Sequence, residues 1–368
     1  MTEETRDSRT VCRRRYLAAV SSLAATGLAG CSAATGLAGC SAAPGGSGGR
    51  SLPAFASLLA DTDGRDGTYS FVSLDAAFDG GGDNGGEDDT LPTDPLVANP
   101  VASVSELVFL YAFVEMGDVG TVVDEHDASK QGDQRILSVN TALLRTGDFD
   151  VPAAADALRG LDAFGFETVA DADRGVVLDS AELGFAVGLT PDAFVFARDL
   201  PDAPSDPASV AEAHVATLAG DRSAKHERDD EFAELLRRAD TSGLAFGVYA
   251  DDAPAVDAGE AADADYGEWT RNEDVPTGTL APFDGARGFV QRLGPVAAVD
   301  EYVSPLAVVP PESDDGDLSA TAVVASGGRN VDPDGLGDAV GRRAEDVTVR
   351  SGDGFVRARA TYPPSAFE

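Results

Sequence analysis

From Leu52 onward the chain alternates short apolar runs with turn residues. Residues Thr68–Leu74 (TYSFVSL) alternate polar and apolar positions, the period-two signature of a half-buried strand. Val104–Val114 (VSELVFLYAFV) is the most apolar run and predicts a buried strand, and Ile136–Arg145 (ILSVNTALLR) predicts another. A helix follows, with Asp150 suited to its N-cap, Pro152 tolerated in the first turn and Ala153–Leu158 continuing it. Short strands are expected at Phe166–Val169, Val176–Leu178, Gly184–Leu189 and Ala193–Ala197. Asp206-Pro207 opens a second helix that ends at Gly220, Asp229–Ala239 gives a third, and Leu244–Tyr249 reads as a strand. Beyond an acidic stretch, Gly288–Val299, Tyr302–Val309 and Leu318–Ala325 read as strands and Pro333–Ala344 as a short helix. Val347–Arg350 and Phe355–Ala360 then make a hairpin around Gly352-Asp353-Gly354.

Mixed helices and strands with hairpin-like turns predict an α+β fold, a mainly antiparallel sheet with a few short helices. A faint internal repeat suggests two βαββ-like units. Thr141–Gly147 (TALLRTG) and Thr321–Gly327 (TAVVASG) each lead from a strand into a helix with an early proline, and each is followed by a hairpin. The organisation expected is a signal over 1–30, a Gly/Ser-rich tether over 31–51, an α+β domain over 52–250, an acidic linker or surface excursion over 251–274, and a second α+β unit over 275–368 packed on the first. The acidic excursion carries the single tryptophan, Trp269. Asp79–Asp89 (DGGGDNGGEDD) reads as a solvated loop; one copy of such a segment does not build a calcium-binding roll.

Charge changes the picture more than composition does. The 368 residues carry 64 acids and 27 bases, a formal charge of −37, and only two of the bases are lysines, Lys130 and Lys225. No basic stretch exists to neutralise phosphates, so no nucleic-acid partner is expected. Abundant Asp with scarce Lys resembles the proteins of salt-loving archaea. Such a charge repels itself over about 10 Å at 0.1 M salt but only about 3 Å at 1 M. Cys12, Cys31 and Cys40 are the only cysteines, so disulfides do not hold the body together.

The N-terminal segment has the layout of a delivery signal. Cys12-Arg13-Arg14-Arg15-Tyr16-Leu17 leads into the Ala-rich apolar run Ala18–Gly27, too short to span a bilayer, which takes about 20 residues. Arg13-Arg14, any residue, then Tyr16 and Leu17 resembles the twin-arginine export signal. It departs from that pattern with Cys12 where Ser or Thr is usual, and it lacks the frequent Lys after the leucine. Leu28-Ala29-Gly30-Cys31 resembles a lipoprotein box, in which the cysteine thiol accepts a lipid and becomes the new N-terminus. The nine residues ATGLAGCSA run from Ala25 to Ala33 and repeat from Ala34 to Ala42, giving a second box at Cys40. An apolar region from Leu17 to Gly27 has normal signal length, whereas one reaching Cys40 is about twice as long; Cys31 is therefore the expected lipidation site and Cys40 the alternative. Together these motifs resemble exported lipoproteins of haloarchaea, a resemblance confined to about the first forty residues. It implies a lipid-anchored protein on the outer face of the cell membrane, with the membrane and the twin-arginine translocase as partners. Removing residues 1–30 leaves 61 acids against 22 bases.

The body offers little that selects a chemistry. His214 lies on one stripe of its helix with Val210 and Leu218 and reads as a satisfied, partly buried side chain; His126, in VDEHDAS, reads as solvated. His226-Glu227-Arg228-Asp229-Asp230 matches the helical zinc-protease motif only in its first two letters. Asn330-Val331-Asp332-Pro333-Asp334-Gly335 imitates the start of an EF-hand loop, but Gly341 stands where the bidentate glutamate belongs, so a turn and helix cap is expected. No nucleophile elbow, phosphate-binding loop or dinucleotide fingerprint appears, and no catalytic, cofactor or metal residue is assigned. A non-catalytic binding or envelope role is the leading expectation. The alternatives are a solute-binding lipoprotein of a transporter, which calls for a deep cleft between lobes, and a secreted hydrolase.

Overall fold

The computed structural model describes residues 51–75, 94–103, 118–129, 134–172, 174–199, 204–239, 243–251, 255–257, 280–294, 297–298, 308–309, 318–328 and 331–363. The predicted strand Val104–Val114, the loop Asp79–Asp89, Trp269 and the whole N-terminal signal lie outside them.

The alternating runs become strands. β1 (Thr68–Asp75), β2 (Arg135–Val139), β3 (Ala142–Thr146), β4 (Glu167–Ala172), β5 (Gly175–Ser180), β6 (Phe185–Thr190) and β7 (Ala193–Arg198) precede β8 (Leu244–Ala250) and β9 (Gly288–Gly294). After the two-residue pair β10 (Ala297–Ala298) and β11 (Val308–Val309) come β12 (Leu318–Ala325), β13 (Asp346–Gly352) and β14 (Phe355–Tyr362). Twelve of these form one sheet in the order β13-β14-β12-β9-β8-β1-β2-β3-β7-β6-β5-β4, and every neighbouring pair is antiparallel. The fold is therefore α+β on a mainly antiparallel sheet, as the alternation predicts. Strands from either side of the acidic stretch meet directly, because β8 pairs with β9 from Leu244↔Leu293 to Tyr249↔Gly288.

The continuous run Ile136–Arg145 is two strands, not one. Asn140 adopts φ 49°, a left-handed conformation that Asn tolerates, and Val139 pairs with Ala142 across it. Its side chain fixes the turn: Oδ1 accepts from the Ser70 amide at 2.9 Å, and Nδ2 donates to the Thr62 carbonyl at 3.1 Å.

Helices cover both faces. On the first lie the helical residues 95–103 (α1), α2 (Asp118–Glu125), α3 (Val151–Arg159) and α7 (Pro333–Ala339), contributing Leu96, Val123, Leu158 and Leu336 to one core. On the second lie a 3-10 turn (Ala54–Leu58), α4 (Pro207–Ala219), the four-residue α5 (Lys225–Arg228) and α6 (Asp230–Arg238), with Phe55, Val210 and Phe232 in the opposite core. The cap expected at Asp150 is in place, and Asp206 and Asp229 cap their helices in the same way: the three side chains accept from the amides of Ala153, Ser209 and Phe232. Gly220, at φ 79°, ends α4 in the left-handed conformation that favours glycine. Gly188 allows α4 to lie close over the sheet, since a Cβ there would stand 2.7 Å from Val215.

The two repeated segments end differently. The second is β12-α7-β13-β14, with β14 returning beside β12, a βαββ unit. The first runs from β3 through α3 into a four-strand meander, β4 to β7, before returning beside β3.

Candidate functional site

Three arrangements of ionisable groups in the described body bear on a site. The densest is a buried ion network on the second face. Lys225 opens α5, is 4% exposed, and places its ammonium 3.0 Å from Asp61 and 2.6 Å from Asp251. Arg228 reaches the other Asp61 oxygen at 2.7 Å, and the Tyr69 ring lies 5.5 Å beneath the ammonium. The backbone holds this geometry: the Lys225 amide donates to the Leu59 carbonyl, and Ala60 bridges Ala224. Burial alone would pull the Lys225 ammonium down, but Asp251 and Asp61 outweigh it and its pKa lies above the ordinary value. Burial, with Asp61 and Asp251 nearby, pushes the Tyr69 phenol well up. The network keeps a charged lysine charged, so it acts as a cross-link between the segment before β1 at Asp61, α5 and the end of β8 rather than as a base.

The second arrangement lies around the predicted polar loop. Its centre is Asp127, not His126. Asp127 Oδ1 accepts from the amides of Ser129 at 2.9 Å and Asp148 at 3.0 Å, and Oδ2 lies 3.3 Å from Arg145. Arg145 is itself buried, 2.5 Å from Asp124 and 5.7 Å from the Phe149 ring. Burial would raise the Asp127 carboxyl, but the two amides, Ser129 and the Arg145 guanidinium hold it below the usual carboxylate range. His126 is half-buried rather than solvated, and its carbonyl accepts from the Asp150 amide.

The third is an open groove of about 460 Å³ beside the start of α3. Phe149, Pro152, Val176 and Pro191 line it together with Arg159, Arg174 and the acids Asp150, Asp156 and Asp171. Most of this charge is engaged: Arg159 pairs with Asp156 at 2.5 Å and donates to Thr168, Asp150 caps α3, and Arg174 donates to the Ala219 carbonyl. The groove can hold a small polar molecule but presents no nucleophile with an adjacent base.

The remaining candidates resolve one by one. His214 is fully buried, not partly, and neither ring nitrogen has a hydrogen-bond partner among the described residues. The helical spacing does put it on the inward stripe, but the sheet under α4 offers Val177, Ala186 and Val195, whose side chains have no acceptor. Burial first, and Arg222 second, lower its pKa to about 3. His226 Nδ1 lies 3.0 Å from the Ala56 carbonyl, Glu227 accepts from the Ala224 amide, and Asp229 caps α6. Among the described residues no three metal-ligating side chains converge. Asp332 accepts from the Asp334 amide at the start of α7, the cap expected there. Arg13, Arg14, Tyr16, Leu17, Cys31 and Cys40 lie outside the described residues. No helix among the described residues is long and apolar enough to cross a membrane.

The fold defines an α+β protein built mainly on a twelve-stranded antiparallel sheet, in which Lys225, Arg145 and Asp127 are held in ion pairs. No family model matches the chain, and no curated protein matches it. Among solved structures, crystal forms I and III of TP0453 are similar at 6% and 8% identity, with TM-scores of 0.38 and 0.35. They cover 86% and 84% of this chain and 95% and 94% of that one. So weak a likeness assigns no function.

Proposed function

We propose that the chain is a lipid-anchored protein on the outer face of the cell membrane with a non-catalytic binding or envelope role. The observation that carries the anchor is Leu28-Ala29-Gly30-Cys31, one short apolar region after Arg13-Arg14. The non-catalytic reading is supported by the use of the buried ionisable groups. Lys225 is fixed between two carboxylates, Asp127 is spent on two amides and an arginine, and His214 is sealed in an apolar layer. The mass of the N-terminal peptide from the membrane-bound protein tests the anchor. A lipid on Cys31 is expected, and a lipid on Cys40 or an unmodified N-terminus refutes the assignment.

The groove beside α3 favours a second reading, capture of a small polar solute for a transporter. It is a groove at one end of a continuous sheet, not a cleft between lobes. Heat-shift screening against amino acids, sugars and organic anions tests it, and a shift abolished by Arg174→Gln supports it.

A further inference from the structure

The twelve-stranded sheet ends in two edges, β4 and β13, and they are built differently. β4 carries a bulge between Thr168 and Ala170, a break in register that spoils an edge as a template for another strand. β13 keeps unbroken register with β14 over all seven of its residues, from Asp346↔Thr361 to Gly352↔Phe355, and holds no proline. Its outer side therefore offers a regular row of backbone donors and acceptors, with no strand beyond it among the described residues. The hairpin behind it is pinned. Arg238 of α6 lies 4.4 Å over the Phe355 ring and 3.7 Å from Asp353, and the Ser326 amide donates to the Gly354 carbonyl.

Register also sorts the side chains of β13. Val347 and Val349 lie opposite Ala360 and Ala358, which are buried in the first-face core, so both valines are on that face. Asp346, Thr348 and Arg350 are on the second. Within the chain Asp346 stands across from Thr361 and Arg350 across from Arg357, so the ladder sets neither against an opposite charge. Asp346, Val347 and Arg350 are exposed, and Val347 is one of three large apolar side chains in that condition among the described residues.

We propose that β13 pairs antiparallel with β13 of a second copy of this chain, about a two-fold axis through Thr348. The run from Asp346 to Arg350 (acid, Val, Thr, Val, base) is the complement of its own reverse. In that register Asp346 of each copy faces Arg350 of the other, Val347 faces Val349, and Thr348 faces itself. Directly opposed side chains have Cβ atoms about 5 Å apart, where opposite charges, β-branched pairs and Thr–Thr pairs all stabilise a sheet. The two-fold makes each charge and valine match occur twice. Moving the axis to Val349 sets Asp346 against Gly352 and Val347 against Ser351, and moving it to Val347 sets Arg350 against Ala344, so only the Thr348 register pairs the charges. First face continues into first face, and the two twelve-stranded sheets become one. Molar salt screens the repulsion between two chains at −37 beyond about 3 Å and leaves charge pairs at contact range in place. A purely acidic strand would meet Asp346 and a purely basic one Arg350, so the mixed pattern fits a second copy best.

The test uses the full chain with Cys12→Ser, Cys31→Ser and Cys40→Ser, so that neither a lipid nor a native thiol contributes, in sedimentation equilibrium at molar salt. A reversible monomer–dimer equilibrium is expected. Arg350→Asp sets acid against acid twice across the seam and should weaken the dimer about tenfold, with unchanged circular dichroism. Asp346→Arg combined with Arg350→Asp restores opposite pairs and should recover most of that loss. Thr348→Cys reads the same register without altering a charge: it should cross-link copy to copy under mild oxidation, while Thr168→Cys on β4 should not. A chain that stays monomeric, an Arg350→Asp dimer as tight as its parent, or a double variant no better than the single one overturns the proposal. A monomer in which the Thr348→Cys thiol resists alkylation overturns it in favour of a segment of the same chain lying on this edge. Cross-linking through Thr168→Cys instead overturns it in favour of an interface at β4.

Discussion

Tyr362, on the last strand, donates its hydroxyl to the Asp94 carboxylate at 2.7 Å although 268 residues separate them. Both side chains are buried, and Asp94 also accepts from the Leu96 amide at the start of α1. Burial and Asp94 push the Tyr362 phenol far up, so it stays a donor. Tyr362→Phe removes the donor and leaves a buried carboxylate short of a partner. The expected cost is about 1–3 kcal/mol, read as a lower denaturation midpoint with an unchanged slope.

The ion network predicts an asymmetry. Lys225→Met leaves Asp61 and Asp251 facing each other without their shared cation, and breaking such a buried pair costs about 3 kcal/mol. Arg228→Met removes a half-exposed partner of Asp61 and should cost under about 1 kcal/mol. Equal losses for the two in denaturation would refute the cross-link role.

His214 sets an acid limit. Its folded pKa is about 3, against about 6.5 in an unfolded chain, so the unfolded state takes up a proton that the folded state refuses. The associated stability is fully present above about pH 6.5 and is lost as pH falls from there toward 3. Between pH 6.5 and 5 the loss approaches about 2 kcal/mol. Denaturant unfolding of His214→Leu at both pH values should lack most of that difference. A slope identical to that of the parent chain would exclude His214 as its source.

The acid surplus predicts a salt requirement. At molar salt the self-repulsion of a chain at −37 is confined to about 3 Å, and at 0.1 M it reaches about 10 Å. Lowering salt between those values should expand the body, visible in its sedimentation coefficient and far-ultraviolet dichroism. Signals unchanged across the range would remove the halophilic reading.

What sequence patterns disclose here follows physical range. Alternation marks β1, and the Asp150, Asp206 and Asp229 caps lie within four residues of what they bind, so local chemistry suffices to place them. The β2–β3 hairpin is hidden because Asn140 interrupts an otherwise apolar run, and its turn is fixed by Ser70 and Thr62, far away in sequence. The short α5 is likewise invisible by periodicity. Nor can periodicity bring Asp61, Lys225 and Asp251 together, since the network exists only once the Ala60–Ala224 bridge and β8 are in place. Arg292, Arg350, Arg357 and Arg359 look like isolated charges in separate segments, and only strand register makes them neighbours.

The place of β1 governs how the protein can be made. It sits inside the sheet between β2 and β8. Its β2 side closes early in synthesis, but its other edge waits for Leu244–Ala250. A nascent chain therefore carries an open strand edge from the completion of β2 until Ala250 has been made, a state that invites chaperone capture or aggregation. Prematurely terminated products ending before β8 keep that edge permanently, which makes them natural targets for quality-control proteases.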